Sequence, residues 1–296
     1  MHSLKWFFLI NIFKHTLVTS DRIKIDKDEV DMDKIAELKE KAKVGWASFI
    51  SFEALTSTAA PKLVQFAGVK NGMKLLDVAC GTGVVALTAV RLGAEVEGVD
   101  LTPELVNRAK ENAEIMGLKA NFTEGDAEFL PFKENQFDVI LSQYGHMFAP
   151  RPAVVTTELA RVLKPGGILA FSTWPVELFM GKFFKLIEQF SPPLPDGVES
   201  PVLWGDMSII RSRLADHFEQ IEFGRDAMYA PTMSPAHMLK LFEKNAGPLA
   251  NLVKALSNDP AKLQELRSSA LMLLEKFFSN NFLKQDFLMT RCIKKH

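Results

Sequence analysis

The chain has 296 residues, 47% of them hydrophobic and 24% charged, which is the balance of a globular protein with a substantial core to bury. Thirty-five basic against 36 acidic side chains leave a formal net charge of -1, so there is no basic footprint for nucleic acid. Two cysteines, Cys80 and Cys292, can build neither a zinc site nor a disulfide framework; no metal is expected, and a reducing cytoplasm is the simplest setting.

Residues 1–20, MHSLKWFFLINIFKHTLVTS, carry an apolar run from Trp6 to Phe13 that is too short to span a bilayer. Lys14 and His15 interrupt it before a signal-peptide pattern is complete. Trp6, Leu9, Ile10, Phe13 and Leu17 share one helical face, which offers a docking face for the protein or for a membrane surface. The plainer reading is an extension ahead of a natural start near Met32, with mixed-charge Asp21 to Asp31 as a solvated linker. Residues 1–32 thus read as extension and linker, and 33–296 as a single domain.

A helical pattern runs from Asp33, a candidate N-cap, to Phe52, and a second from Thr58 to Ala67 with Pro61 in its first turn; 33–70 would cap the domain. The apolar run 74–79 ends at glycines and predicts a buried strand. Helix 83–92, strand 95–99 ending at Asp100, and a helix capped by Thr102 with Pro103 in first position follow. Strands are expected at 120–123 and 137–142, a helix at 153–163, a turn at Lys164-Pro165-Gly166-Gly167, and a strand at 168–173. Beyond Trp174 come helix 177–190, a proline-rich loop at 191–197, helix 206–217 and strand 219–223. A helical block without a strand occupies 234–281, and 286–292 closes the chain as a strand. Strand and helix alternate, which argues an α/β fold with a mostly parallel, seven-stranded sheet and helices on both faces. Ligands in such sheets collect at the carboxyl ends of the strands.

The central motif is Leu76-Asp77-Val78-Ala79-Cys80-Gly81-Thr82-Gly83. Its glycines allow a sharp strand-to-helix turn and close approach of a ligand. Gly81-Thr82-Gly83-Val84-Val85-Ala86 also fits a dinucleotide pattern, with Asp100 lying 19 residues after Gly81, so a nicotinamide-dependent oxidoreductase is the rival reading. Against it, Asp77 puts a carboxylate where a pyrophosphate would lie, which suits a cationic ligand better. Gly125-Asp126-Ala127 after the third strand offers a carboxylate for an adenine amino group, and the last strand follows a helical block.

LLDVACGTG, GVD, GDAEFLPF, FDVILS and RVLKPGG, in this order and spacing, resemble class I S-adenosylmethionine-dependent methyltransferases of the type 11 group, which includes the ubiquinone/menaquinone C-methyltransferases. The resemblance is strong over about residues 60–175 and departs at Ala79, where the family usually has a glycine; it implies a Rossmann-like doubly wound fold and S-adenosyl-L-methionine as cofactor. By the same resemblance Asp77 would order the loop and help hold the methionine ammonium, with the backbone around Ala79, Gly81 and Gly83 beside it. Asp100 would accept from the ribose hydroxyls, Leu101 would pack on the adenine, Asp126 and the Ala127 amide would meet the adenine amino edge, and Gln143 would lie near the methionyl group.

His146, in Tyr144-Gly145-His146-Met147-Phe148, is the candidate general base, because imidazole titrates near neutrality and the segment follows the fourth strand. A histidine packed beside the loop and hydrogen-bonded to backbone is the bland alternative. Trp46, Phe49 and Phe52, with Met238, Leu241, Phe242, Leu249, Leu252 and Val253 from the helical block 234–281, would enclose a small, apolar or aromatic acceptor. C-, O- and N-methylation stay open, as does a binding module that has kept the cofactor and lost turnover.

Overall fold

A computed structural model describes residues 32–296; the extension of residues 1–31, with its docking face and linker, lies outside the described residues. The chain is already helical at Met32, so Asp33 sits inside helix α1 (32–46) and does not cap it. The segment Ala47–Phe52 tightens to a 3-10 helix, followed by α2 (Glu53–Thr56) and α3 (Ala60–Ala67), which stops at Gly68 in the left-handed conformation.

The alternating part then runs β1 (Lys74–Val78), α4 (Val84–Val90), β2 (Glu95–Asp100), α5 (Pro103–Met116), β3 (Asn121–Glu124), β4 (Phe137–Gln143), α6 (Pro152–Val162) and β5 (Leu163–Thr173). Helices α7 (Phe179–Phe190) and α8 (Met207–Leu214) precede β6 (Phe218–Pro231). After α9 (Pro235–Asn245), α10 (Gly247–Ala255) and α11 (Pro260–Glu275), the chain closes with β7 (Phe278–Ser279) and β8 (Phe282–Lys294). No helix among the described residues is long and apolar enough to cross a membrane.

The sheet order is β3-β2-β1-β4-β5-β8-β6, with the short β7 paired to β8 as an eighth strand. Strands β1 to β5 are parallel and β8 is antiparallel to both neighbours, so the closing strand is the odd member, as its place after a helical block suggests. The chain steps outward from β1 and returns at β4, which makes the β1/β4 boundary the switch point where a ligand crevice opens. Side-chain alternation along the strands separates two cores. Leu75, Val139 and Ala170 pack against α3, α4 and α5, whereas their neighbours Leu76, Ile140 and Leu169 pack against α6 and α7. Each fully buried Leu or Ile contributes about 1.5–3 kcal/mol, which makes both faces of the sheet substantial.

Four local expectations change. Thr102 is the N-cap of α5 in backbone geometry only: its side chain makes no capping bond, and its amide donates to Asp100 Oδ1 at 2.9 Å. Residues 164–167 are not a turn ahead of the strand but an excursion inside β5, since Leu163 pairs with Phe137 and the next pairing is Val139 with Ile168. Strands β6 and β8 outgrow their apolar stretches because they pair with each other from Phe218↔Lys294 to Pro231↔Phe282. The block 234–281 is inserted between the ends of that hairpin and contains β7, where a purely helical segment was expected. Its helix α11 packs on α7 and α9.

Candidate functional site

A cavity of about 200 Å³ opens at the carboxyl ends of β1, β2 and β4 and extends toward α1, α7 and α9. At its β1 end lies Asp77, buried to 1% exposure, whose Oδ2 accepts from the Ala86 amide in the first turn of α4 at 2.9 Å. Burial pushes its carboxyl up to about 8; the Ala86 amide opposes this and the charge of Asp100 adds to it. No cation is paired with Asp77 among the described residues.

The loop after β1 turns through left-handed backbone at Ala79 (φ 55°), Gly81 (φ 54°) and Gly83 (φ 81°). A Cβ at Gly81 would meet nothing within 4 Å, leaving the loop's backbone open to a ligand. At Gly83 it would lie 3.0 Å from Phe122 and 3.1 Å from Ala109, so this glycine packs the start of α4 onto β3 and α5 and does not line the cavity. Ala79 holds a conformation that disfavours any side chain by about 1–2 kcal/mol. Its methyl fills the space against Gly145, where a Cβ would come within 2.3 Å of it. The alanine in place of the family's usual glycine therefore goes with a glycine across the crevice.

Asp100 ends β2 with both oxygens engaged, Oδ2 accepting from the Gly81 amide at 2.8 Å and Oδ1 from Thr102. Burial raises its carboxyl while these amides lower it. Leu101 and Gln143 also line the cavity, and Gln143 Nε2 donates to the Thr56 carbonyl at 2.9 Å. Of the nine residues placed at the cofactor by resemblance, Asp77, Ala79, Gly81, Asp100, Leu101 and Gln143 are brought to one wall; Gly83, Asp126 and Ala127 are not. Asp126 is instead gripped by Lys39 from α1 at 2.6 Å, and the same ammonium reaches Glu128 at 2.6 Å. Glu128, itself buried, is also held by Arg151 at 2.7 Å. Lys39 lines the cavity, so Asp126 stands behind it at the rim.

His146 does not face the cavity. Tyr144 takes left-handed backbone (φ 61°) directly after β4, and the 3-10 turn His146–Phe148 then directs Tyr144, Gly145 and Phe148 to the cavity and the imidazole into the core. The ring is 1% exposed and lies between Phe171 and Trp204, at 4.5 and 4.7 Å between centroids, with neither nitrogen partnered. Burial and the Arg213 charge lower it to about 3, which leaves it neutral and remote from any acceptor. The expectation of a base facing the acceptor is corrected, and the alternative holds only in its packing, since neither ring nitrogen bonds to backbone among the described residues.

The far half of the cavity is aromatic. Trp46 lies 4.8 Å from Phe148, and Phe242 lies 5.8 Å from Phe52 and 5.2 Å from Phe183. Trp46, Phe49, Phe52, Phe242 and Leu249 line it as expected, but Met238, Leu241, Leu252 and Val253 face elsewhere. Helix α7 supplies Met180, Phe183, Phe184 and Ile187, which sequence reasoning left out although their spacing marks one helical face. Lys39, Tyr144, Trp174 and Gln285 were missed too; only Trp174, just past a strand end at the ligand edge, carried a positional signal.

Residues 76–171 match the family described as a methyltransferase domain. An uncharacterised protein of Mycobacterium tuberculosis is 33% identical over 238 residues, covering 80% of this chain and 87% of its own. The demethylmenaquinone methyltransferase of Staphylococcus aureus is 39% identical over 111 residues, 36% of this chain and 46% of that one. Among solved structures, the YcgJ protein from Bacillus subtilis shares the fold with a TM-score of 0.55 at 20% identity, covering 81% of this chain and 99% of its own. The motif order, the sheet order and these likenesses agree: the chain belongs to the class I S-adenosylmethionine-dependent methyltransferases of the type 11 group, with S-adenosylmethionine as its cofactor.

Proposed function

We propose that the protein transfers the methyl group of S-adenosylmethionine to a small, uncharged, largely aromatic or apolar acceptor. The observation that carries this reading is that one cavity joins the Asp77–Asp100 end to an aromatic half, with Lys39, Asp77 and Asp100 its only charged lining residues among those described. The residues fit the cofactor on their own chemistry, because a buried carboxylate without a cation suits a cationic ligand. When bound, the cofactor supplies an electrophilic methyl group on a cationic sulfur.

In this reading Asp77 and the backbone of Ala79 and Gly81 hold the methionine end, and Gln143 lies beside it. Asp100 retains lone pairs for the ribose hydroxyls beyond its two amide bonds. Leu101 packs on the adenine, and Asp126 with the Ala127 amide meets its amino edge once Lys39 makes room. The aromatic half excludes water and holds the acceptor in line, and orientation of this kind contributes up to roughly 7–11 kcal/mol. No imidazole or carboxylate among the described residues lines that half, so the nucleophile reacts at its own state of ionisation.

A relative named as a demethylmenaquinone methyltransferase, matched over 36% of this chain and 46% of its own, is in keeping with an aromatic acceptor. The test is release of S-adenosylhomocysteine from S-adenosylmethionine with neutral aromatic acceptors, using carboxylated and amino analogues as counterparts. Turnover confined to the charged analogues would overturn the acceptor class; tight cofactor binding without turnover on any acceptor would favour a binding module.

A further inference from the structure

The two halves of the cavity are joined from outside it by one carboxylate. Glu53 opens α2, the short helix whose Leu55 and Thr56 line the wall beside Phe52, yet its own side chain does not line the cavity. Its Oε1 accepts from Arg108 Nη2 at 2.9 Å, and its Oε2 from Arg108 Nε at 3.0 Å and Asn112 Nδ2 at 2.7 Å. Arg108 and Asn112 lie one turn apart on α5, so both reach the same carboxylate. Burial would raise the Glu53 carboxyl, but the bonds from Arg108, Asn112 and Thr82, with the Arg108 charge, hold it below its ordinary value.

Asn112 carries the connection onward. The same Nδ2 donates its second hydrogen to the Thr82 carbonyl at 3.0 Å. Thr82 lies between Gly81 and Gly83, both in left-handed backbone, and lines the cavity. A glycine on either side makes this residue easy to turn, a liability in a loop that must present its backbone to a ligand. The peptide after Thr82 is instead held at both ends, its carbonyl by Asn112 and its N–H, that of Gly83, by the Cys80 carbonyl at 2.9 Å. The other end of α2 is tied to the cofactor side as well, because the Thr56 carbonyl accepts from Gln143 Nε2 at 2.9 Å. A piece of the helical cap is thus fastened both to the glycine loop and to the end of β4.

Resting on the cofactor placement proposed above, we infer that Glu53 is a positioning residue: through Asn112 it fixes the Thr82 peptide for the cofactor, and it makes cofactor binding and the ordering of α2 favour one another. A cofactor that locks the loop strengthens the Asn112–Glu53 bond, and by reciprocity an ordered α2 tightens the hold on the cofactor. Neither Glu53 nor Asn112 lines the cavity, so each acts through the loop and α2 alone.

The experiment is titration of the full chain with S-adenosylhomocysteine, together with amide hydrogen exchange over residues 52–56 with and without that ligand. The wild type should slow exchange in this segment on binding. Asn112→Ala and Glu53→Gln should each bind S-adenosylhomocysteine roughly five- to tenfold more weakly, as one net hydrogen bond dictates, and lose most of the ligand-dependent slowing. The double variant should be hardly weaker than either alone, because both break one connection. Glu111→Ala, which removes an exposed ion pair of Arg108 but leaves Glu53 its donors, should match the wild type in both readings. Wild-type affinity in Asn112→Ala and Glu53→Gln would overturn the inference. So would variants that melt lower and bind more weakly yet keep the slowing at 52–56, since that pattern leaves Glu53 a stabilising residue only. A wild type that does not bind S-adenosylhomocysteine would instead overturn the cofactor placement on which the inference rests.

Discussion

Replacing Asp77 by Asn separates what that carboxylate does for the ligand from what it costs the fold. In the folded chain its carboxyl is pushed from the ordinary 3.8 up to about 8, chiefly by burial. An unfolded chain ionises it near 3.8, so between about pH 4 and about pH 8 the folded state holds a proton that the unfolded state has lost. Stability therefore falls as pH rises through that window and levels off above it. At ~1.4 kcal/mol for each pH unit between 3.8 and 7, the cost at neutral pH is about 4 kcal/mol. Asparagine still accepts from Ala86 and has no such cost, but it buries an extra N–H worth about 1 kcal/mol, leaving a net gain of about 3 kcal/mol. That corresponds to a melting temperature higher by roughly 6–12 °C at pH 7 without ligand, with the gain vanishing toward pH 4. The same variant should bind S-adenosylhomocysteine about 10- to 100-fold more weakly. Wild-type binding at pH 7 should release close to one proton, seen as a dependence of the titration heat on buffer ionisation enthalpy, and the variant should release none. A variant that melts with the wild type across pH 4–8 and binds with the same proton count would refute the reasoning.

His146→Phe should keep turnover and cofactor affinity, because the neutral ring is buried against Phe171 and Trp204 and does not line the cavity; a loss of turnover at unchanged affinity would restore it as a base. Gly145→Ala should abolish cofactor binding by driving a methyl onto Ala79, and adding Ala79→Gly should restore part of it; no rescue would place the damage elsewhere in the turn. Lys39→Ala should cost stability by about 1–3 kcal/mol, since buried Glu128 loses one partner but keeps Arg151, and should change the rate of cofactor exchange measured by stopped flow. Unchanged exchange would show that α1 does not control entry. Asp100→Ala should weaken S-adenosylhomocysteine binding by roughly 1–3 kcal/mol and free the Gly81 and Thr102 amides; full affinity by calorimetry would misplace the ribose.

The Asp77–Asp100 end of the cavity was legible because its signals are local. A buried strand running into glycines dictates its own turn, and Asp77 and Asp100 stand at strand ends that parallel topology brings side by side. The helical cap and the aromatic lining were legible as amphipathic stretches, though which side of each stretch faces the cavity was not. Met238 and Phe242 both lie on the buried side of α9, and only their packing against α7 and the 3-10 turn decides that Phe242 alone reaches the cavity. His146 was misread because one left-handed residue, Tyr144, rotates the whole segment after β4, and tyrosine gives no hint of positive φ in the way glycine does. The grip of Lys39 on Asp126 joins residues 87 positions apart, beyond the reach of any periodicity. Gln285 lies on a strand whose length is set by pairing with β6, so its arrival at the cavity depends on a register the sequence does not spell out.

The segment 232–281, which carries α9 to α11 and β7, leaves the β6–β8 ladder at Pro231 and returns to it at Phe282, its paired neighbour. A segment whose ends are already pinned together costs the chain little to close. Doubling its length raises the closure cost by only about 0.6 kcal/mol, so its exposed connections can lengthen cheaply, while Phe242, Leu249 and Leu266 stay bound into the main core. Phe242 and Leu249 belong to this segment, while Asp77, Gly81 and Asp100 belong to the part it leaves alone. Changes at Phe242 and Leu249 can thus reshape part of the aromatic half while the Asp77–Asp100 end keeps its geometry.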